Sequence, residues 1–397
     1  MDFSSPFSIA RLPRIEFGPG VFNKLPDLIS QYGHQALLVT GARSFQQTQH
    51  WTHLIEQLES RGIAWQHCKV DGEPSPELVD EAVKQFATPM PDVVVGIGGG
   101  SALDAGKSIA GLLKVGDSVM DYLEGVGPER DYIGPAVPFI ACPTTAGTGS
   151  EATKNGVLSQ QGEDGFKKSF RDEQLVPAYA VVDPDLLASC PKAIIAANGM
   201  DALTQVLESF VSTKANPMTN ALGARALKAI RGGLLDWYQG GASAAEARAR
   251  MAYAALISGI NLAQTGLGSV HGLASPLGAY FPIPHGVACG TLVASCTRKN
   301  IEVMLAREPH NRALNLYAEA SMYLTGAHHP NREAAWEALI DLLDDWTKRM
   351  LLPRLSHFDI GEGEVDKIVA NSRGSSMKSN PIVLSDDEIA DIVIDRL

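Results

Sequence analysis

The 397-residue chain has no CxxC pair, and its only cysteines are Cys68, Cys142, Cys190, Cys289 and Cys296. An odd, scattered set argues against a disulfide framework and reads as free thiols, so a cytoplasmic location is expected. No run of ~18 uninterrupted apolar residues occurs, so no membrane-spanning helix is expected. No basic block occurs either: Lys+Arg 33 against Asp+Glu 45 leaves a net charge of −12. Such a chain is a poor candidate for nucleic acid or an anionic membrane surface. Met1-Asp2-Phe3-Ser4-Ser5-Pro6 lacks a basic stretch leading into an apolar one, so no secretory signal is expected there. Gly 38 and Pro 23 are too few for a low-complexity chain. What is present is a core-forming composition, 45% hydrophobic and 20% charged, which excludes bulk disorder. The length suggests two or three domains of ~100–200 residues each.

The first half alternates strand-like and helix-like segments. Residues 35–40, 92–97, 136–141 and 179–183 are short apolar runs, and Leu78 to Phe86 has helical periodicity. Strands separated by helices predict a parallel sheet with crossover connections. After about residue 190 the β-branched runs become rare. Ile194–Val211, Met218–Leu235, Ala244–Leu262 and Arg332–Met350 all read as helices. The expected organisation is an α/β domain over 1–190 and an all-α helical domain over 191–397.

The run Val94-Val95-Gly96-Ile97-Gly98-Gly99-Gly100-Ser101-Ala102-Leu103-Asp104 reads as a strand, a glycine turn and a helix start. Such glycines let backbone N–H groups approach a phosphate at a helix N-terminus. Neither a GxGxxG fingerprint nor an ATP-type phosphate loop fits, because both require glycine where Ser101 stands. Ser101 and Asp104 also have the spacing of a capping box. A second polar loop, Pro143-Thr144-Thr145-Ala146-Gly147-Thr148-Gly149-Ser150-Glu151, follows the third strand and suits ribose or pyrophosphate contacts.

In the helical half, Asp201 and Gln205 are four apart and share one helix face. His271 lies in a helical stretch, and His285 follows Pro282-Ile283-Pro284. Two imidazoles, a carboxylate and an amide oxygen are a possible divalent-metal set. Cys289, four past His285, could face the same place, although packing is the expected role.

Together these segments resemble the iron-containing (group III) alcohol dehydrogenase family over nearly the whole chain. The matching pieces come in family order: Gly98-Gly99-Gly100-Ser101 with Asp104 and Lys107, Pro143-Thr144-Thr145 through Glu151, Asp183-Pro184, Gly199-Met200-Asp201-Ala202-Leu203, and Pro284-His285-Gly286. The resemblance implies an N-terminal dinucleotide-binding α/β domain and a C-terminal helical domain. It also implies interconversion of alcohols with aldehydes or ketones using NAD(H) or NADP(H) and a divalent metal, iron or zinc. The glycine turn, with Ser101 and Asp104, would bind the pyrophosphate. Thr144, Thr145, Thr148 and Ser150 would line the cofactor site. Asp201, Gln205, His271 and His285 fall at the four metal-ligand positions, and a homodimer is the family expectation.

Three positions give this chain its own character. The second ligand position, usually His, is Gln205, and a neutral amide oxygen is a weaker ligand than imidazole. A His commonly found four residues after the first His ligand, associated with catalysis and proton transfer, is Ser275. A serine is no general base near neutral pH without a partner, so the proton route would differ or run through water. The acidic residue that often follows the second strand in members preferring NAD is Gly41, followed by Ala42-Arg43-Ser44. Arg43 could pair with a 2′-phosphate, so NADP is favoured over NAD. The small apolar segment Gly272 to Gly278 suggests a short or medium alcohol or aldehyde. Two other readings are a dehydroquinate-synthase-like lyase and a dinucleotide-binding protein with a decayed metal site. The absence of Lys and Arg between Gly266 and Gly290 argues against the phosphosugar substrates of the lyase.

Overall fold

The computed structural model describes residues 6–162 and 165–397, so the reading of Met1–Ser5 lies outside the described residues. The chain divides into two compact units. One comprises Arg11–Gln160 with Gly165–Cys190, and the other is built on Pro191–Leu397 with the stretch ending at Ala10.

The first unit contains strands β1 (Arg14–Phe17), β2 (Gln35–Gly41), β3 (Ala64–Val70), β4 (Val93–Gly98), β5 (Phe139–Pro143), β6 (Asn155–Gln160), β7 (Phe166–Arg171) and β8 (Tyr179–Val182). Its helices are α1 (Leu25–Ser30), α2 (Gln49–Ser60), α3 (Pro76–Phe86) and α4 (Gly100–Leu112). A six-stranded parallel sheet has the order β1-β8-β5-β4-β2-β3, and β6 and β7 form a separate antiparallel pair. Every residue of β4 and β5 is buried, as expected for strands covered on both faces. Thr48 and Ser75 start α2 and α3 by accepting backbone N–H bonds from Trp51 and Leu78.

Strand β2 is followed by β3 on one side, while β4 joins β2 on the other. The order therefore reverses between β2 and β4, and ligands of open α/β sheets bind beyond the carboxyl ends of the strands at such a switch point. Gly41 and Gly98 are the last residues of these two strands. The expected strand over 136–141 begins only at Phe139. Pro138 has no N–H to offer, and the Val137 N–H goes to Ala110 O instead of a strand neighbour.

The second unit is helical: α5 (Lys192–Val211), α6 (Pro217–Arg231), α7 (Leu234–Gln239), α8 (Ala244–Thr265), α9 (Ser269–Tyr280), α10 (His285–Arg307), α11 (Arg312–Thr325), α12 (Arg332–Arg349), α13 (Val365–Ala370) and α14 (Asp386–Asp395). The α/β-plus-helical fold class expected from the sequence is the one observed. The single helix expected over 218–235 is split, because Gly232 and Gly233 end α6 before α7 restarts. Helix α5 is apolar nearly all round and packs against α6, α8 and α10. Its buried polar residues therefore stand out.

Candidate metal and cofactor sites

Asp201, Gln205 and Glu208 form a polar stripe on α5, each at most 7% exposed. His271 lies in the first turn of α9, and His285 opens α10 directly after Pro284. His271 Nε2 is 3.2 Å from Asp201 Oδ1, and His285 Nε2 is 3.9 Å from the same oxygen. Cys289, one turn after His285, places Sγ 3.7 Å from Nε2 of both histidines. One donor atom from each of Asp201, His271, His285 and Cys289 thus lies within 4.8 Å of the others. Packing was the expected role for Cys289; the structure turns its thiol into the cluster, as the i,i+4 relation to His285 allows.

Gln205 sits beside Asp201 with a specific orientation. Its amide nitrogen donates to Asp201 Oδ1 at 3.5 Å, and its carbonyl oxygen accepts from Ser258 Oγ at 3.4 Å. Ser275 is one turn beyond His271 on α9 and half-buried. The neighbouring residues expected to meet an alcohol, Leu273, Ala274 and Leu277, have no exposed surface. Their apolar character belongs to the packing of α9, not to a substrate.

Glu208, which sequence reasoning missed, holds this arrangement. Its Oε2 bonds His271 Nδ1 at 2.6 Å, and its Oε1 accepts the Val270 N–H at 2.7 Å. Asn380 Oδ1 accepts the adjacent Ser269 N–H at 3.0 Å. Two N–H groups at the start of α9 are thereby satisfied. The Nδ1 bond leaves Nε2 of His271 as the atom facing Asp201, the usual support of a metal-bound histidine. The polar stripe 201–205–208 on an otherwise apolar helix is the signal that could have found Glu208.

Electrostatics favour a cation here. Burial alone would raise the Asp201 carboxyl, but its hydrogen bond to His271 and the proximity of His285 hold it below the usual carboxylate range. Burial alone would lower His271, but Cys289, Asp201 and Glu208 hold it well above an ordinary imidazole. Burial pushes the Cys289 thiol up to about 11, with His271 pulling against it. A site this favourable to positive charge, with imidazole, carboxylate and thiol donors converging, fits a divalent metal.

In the other unit, the glycine turn and the second polar loop pack on each other. Thr144 N–H donates to Gly98 O at 2.8 Å. A Cβ on Gly98 would come within 2.6 Å of the Ala102 methyl, and one on Gly100 within 2.8 Å of Thr148. Those two glycines are therefore required by packing alone. Gly99 differs: its φ of −76° suits any residue, and a Cβ there would meet only Thr145, at 3.4 Å. Packing therefore does not require glycine at 99, which is the N-cap of α4. Arg43 and Ser44 are exposed just past the end of β2 at Gly41.

The capping box expected of Ser101 and Asp104 is not formed. Helix α4 starts two residues earlier than a Ser101 cap would place it, with Gly99 at its N-cap, which has no side chain to cap it. Asp104 instead accepts from Ser150 Oγ at 2.5 Å, deep in the unit. Beside them Lys107, with no exposed surface, shares its three N–H groups among four oxygens, Ser150 O, Ser150 Oγ, Thr153 Oγ1 and Asn155 O, at 2.7–3.0 Å. Burial pulls Lys107 down to about 8 and pushes neighbouring Glu151 up to about 7. A buried ammonium is tolerable only with such partners. Here it staples α4 to the second polar loop.

A parallel α/β unit with a glycine turn at its switch point, and a helical unit with a buried metal-type cluster, are the arrangement of a dinucleotide- and metal-binding protein. Similarity to known proteins narrows this. The iron-containing alcohol dehydrogenase model matches residues 13–184, and the C-terminal model of the same family matches 195–397. The chain belongs to the iron-containing alcohol dehydrogenase family. It is 33% identical to lactaldehyde reductase of Escherichia coli K12 over 289 residues, 72% of this chain and 74% of that one. It is 30% identical to an NADPH-dependent butanol dehydrogenase of Clostridium saccharobutylicum over 389 residues, 96% of each. The solved structure of an archaeal halo-thermophilic alcohol dehydrogenase from a Red Sea brine pool superposes with a TM-score of 0.90 at 26% identity, covering 100% of both chains. The chain is accordingly an oxidoreductase of the alcohol dehydrogenase and aldehyde reductase kind. The lyase and non-enzyme alternatives are not favoured. No helix among the described residues is long and apolar enough to cross a membrane.

Proposed function

We propose that this enzyme interconverts a small alcohol and its aldehyde or ketone with NADP(H) as the favoured cofactor and a divalent ion, iron or zinc, in the helical unit. The observation that carries the reading is the convergence of Asp201, His271, His285 and Cys289 donor atoms within 4.8 Å of one another. When bound, the metal supplies Lewis acidity toward the substrate oxygen and the nicotinamide supplies hydride exchange. The protein's own part is positional. Asp201, His271 and His285 hold the ion, with Gln205 beside Asp201, and Glu208 fixes the orientation of His271. Gly98, Gly99 and Gly100 present backbone N–H groups at the start of α4, with Ser101, Thr144, Thr145 and Thr148 around them. Asp104 and Ser150 brace these loops through Lys107. Ser275 stands where a proton route needs an intermediary, so water carries the proton there.

Arg43, exposed past Gly41, supports the NADP preference, since no carboxylate stands there to repel a 2′-phosphate. A homodimer and a cytoplasmic location complete the proposal. The test is a panel of short alcohols and aldehydes with NADPH and NADH, on wild type and Arg43→Ala. NADPH should be preferred by wild type and the preference should shrink in the variant. Equal use of both cofactors by wild type would overturn the NADP assignment, and no turnover across the panel would overturn the reaction.

A further inference from the structure

We propose that Cys289, not Gln205, supplies the fourth ligand, so that the ion is held by a carboxylate, two imidazoles and a thiolate; this rests on the metal site proposed above. Three observations on different elements carry it.

The first is spacing. A tetrahedral ion with bonds of ~2.3 Å to sulfur and ~2.05 Å to nitrogen separates those donors by ~3.6 Å. Cys289 Sγ is 3.7 Å from both His271 Nε2 and His285 Nε2. The imidazole–carboxylate separations of 3.2 and 3.9 Å bracket the ~3.4 Å expected of a nitrogen–oxygen pair on the same ion.

The second is the amide's direction. Gln205 gives N–H to Asp201 and receives the Ser258 hydroxyl on its oxygen. In this orientation the amide nitrogen faces the Asp201 carboxylate and the amide oxygen faces Ser258. Gln205 then orients Asp201 and does not bind the ion.

The third is the helix. His285 and Cys289 are one turn apart at the start of α10, and Gly286 and Gly290 lie alongside them where α10 meets α5. An i,i+4 pair presents both donors to one ion. On binding, the sulfur–metal bond replaces the S–H bond and the proton leaves to solvent.

The test is a titration of the metal-stripped full-length protein with Co²⁺, read by absorption and calorimetry. Wild type should bind one equivalent and develop a near-ultraviolet thiolate-to-cobalt charge-transfer band. Cys289→Ser should lose the band and at least ~100-fold in affinity, beyond the ~10–100-fold that outer-shell changes cost. Gln205→Ala should keep the band and lose no more than ~10-fold. Circular dichroism checks the fold of each variant, and if Cys289→Ser does not fold, the wild-type band alone decides. Cobalt bound to wild type without the band overturns the assignment of Cys289 and leaves the metal site intact. No cobalt bound overturns both.

Discussion

Helix α10 approaches α5 closely only because residue 286 is glycine. A Cβ there would stand 2.5 Å from the Ala197 carbonyl oxygen and 2.6 Å from its carbon. One turn on, a Cβ on Gly290 would stand 2.8 Å from Met200 Cβ. The obstacle at 286 is backbone, which cannot rotate away as a side chain would. Gly286→Ala must therefore move α10 outward by roughly 1 Å to reach an ordinary ~3.5 Å contact. Overpacking of this kind costs ~1–3 kcal/mol, or a fall in Tm of ~2–4 °C per kcal/mol for a unit of this size. The larger effect is on the site, because metal bonds tolerate only about ±0.2 Å. Displacing His285 and Cys289 together by roughly 1 Å should lower metal affinity by at least ~100-fold. Chelator competition measures affinity and thermal melting measures stability. Gly361→Ala is the control, since a Cβ there meets nothing within 4 Å. Wild-type metal affinity in a folded Gly286→Ala variant would refute the claim that this helix contact sets the donor geometry.

Glu208→Gln should weaken metal binding by ~10–100-fold by calorimetric titration, since it removes the charge behind His271; unchanged affinity would mean that Glu208 only caps α9. Gly99→Ala should fold normally, because its Cβ meets only an edge-of-contact neighbour. It should lose about 10-fold in NADPH affinity by fluorescence titration, the equivalent of one charge-assisted backbone hydrogen bond; undiminished binding would remove the ligand-based reason for glycine there. Glu151 has a folded pKa of about 7 against an ordinary 4.5, so its protonated form favours the native state. That contribution is present at low pH and is lost as pH rises through about 7. The Tm of Glu151→Gln relative to wild type should therefore rise between about pH 5 and pH 8; a pH-independent difference would exclude burial of this carboxyl as the cause.

Much of the fold was legible because buried parallel strands are continuous apolar runs, as β2, β4 and β8 are. Strands β1 and β3 were not legible. They are the sheet's edges, and Arg14–Phe17 and Ala64–Val70 carry the polar residues that edges tolerate. The hairpin β6–β7, with Lys167, Lys168 and Arg171, hides for the same reason. In the site, Asp201, Gln205, His271 and His285 were picked out by family resemblance, and Asp201, His271 and His285 do converge, joined by Cys289. Sequence spacing could not reveal the direction in which the Gln205 amide points; it allowed Cys289 to face the cluster, but could not decide between that and packing. Ser101 and Asp104 misled because a capping box depends on where a helix begins, and the glycine turn begins it two residues early. Lys107, matched only as part of a motif, proved to be the buried link between the two loops. Its burial depends on partners more than forty residues away.

Turnover is expected to depend on an ion held in the helical unit. This dependence is tested most directly by measuring NADPH-linked aldehyde reduction and metal content together, on wild type and on His285→Ala. Wild type should carry about one divalent ion per chain, lose activity on chelation and regain it on reconstitution, while His285→Ala should hold neither metal nor activity. Full turnover by a verified metal-free His285→Ala protein would contradict the account.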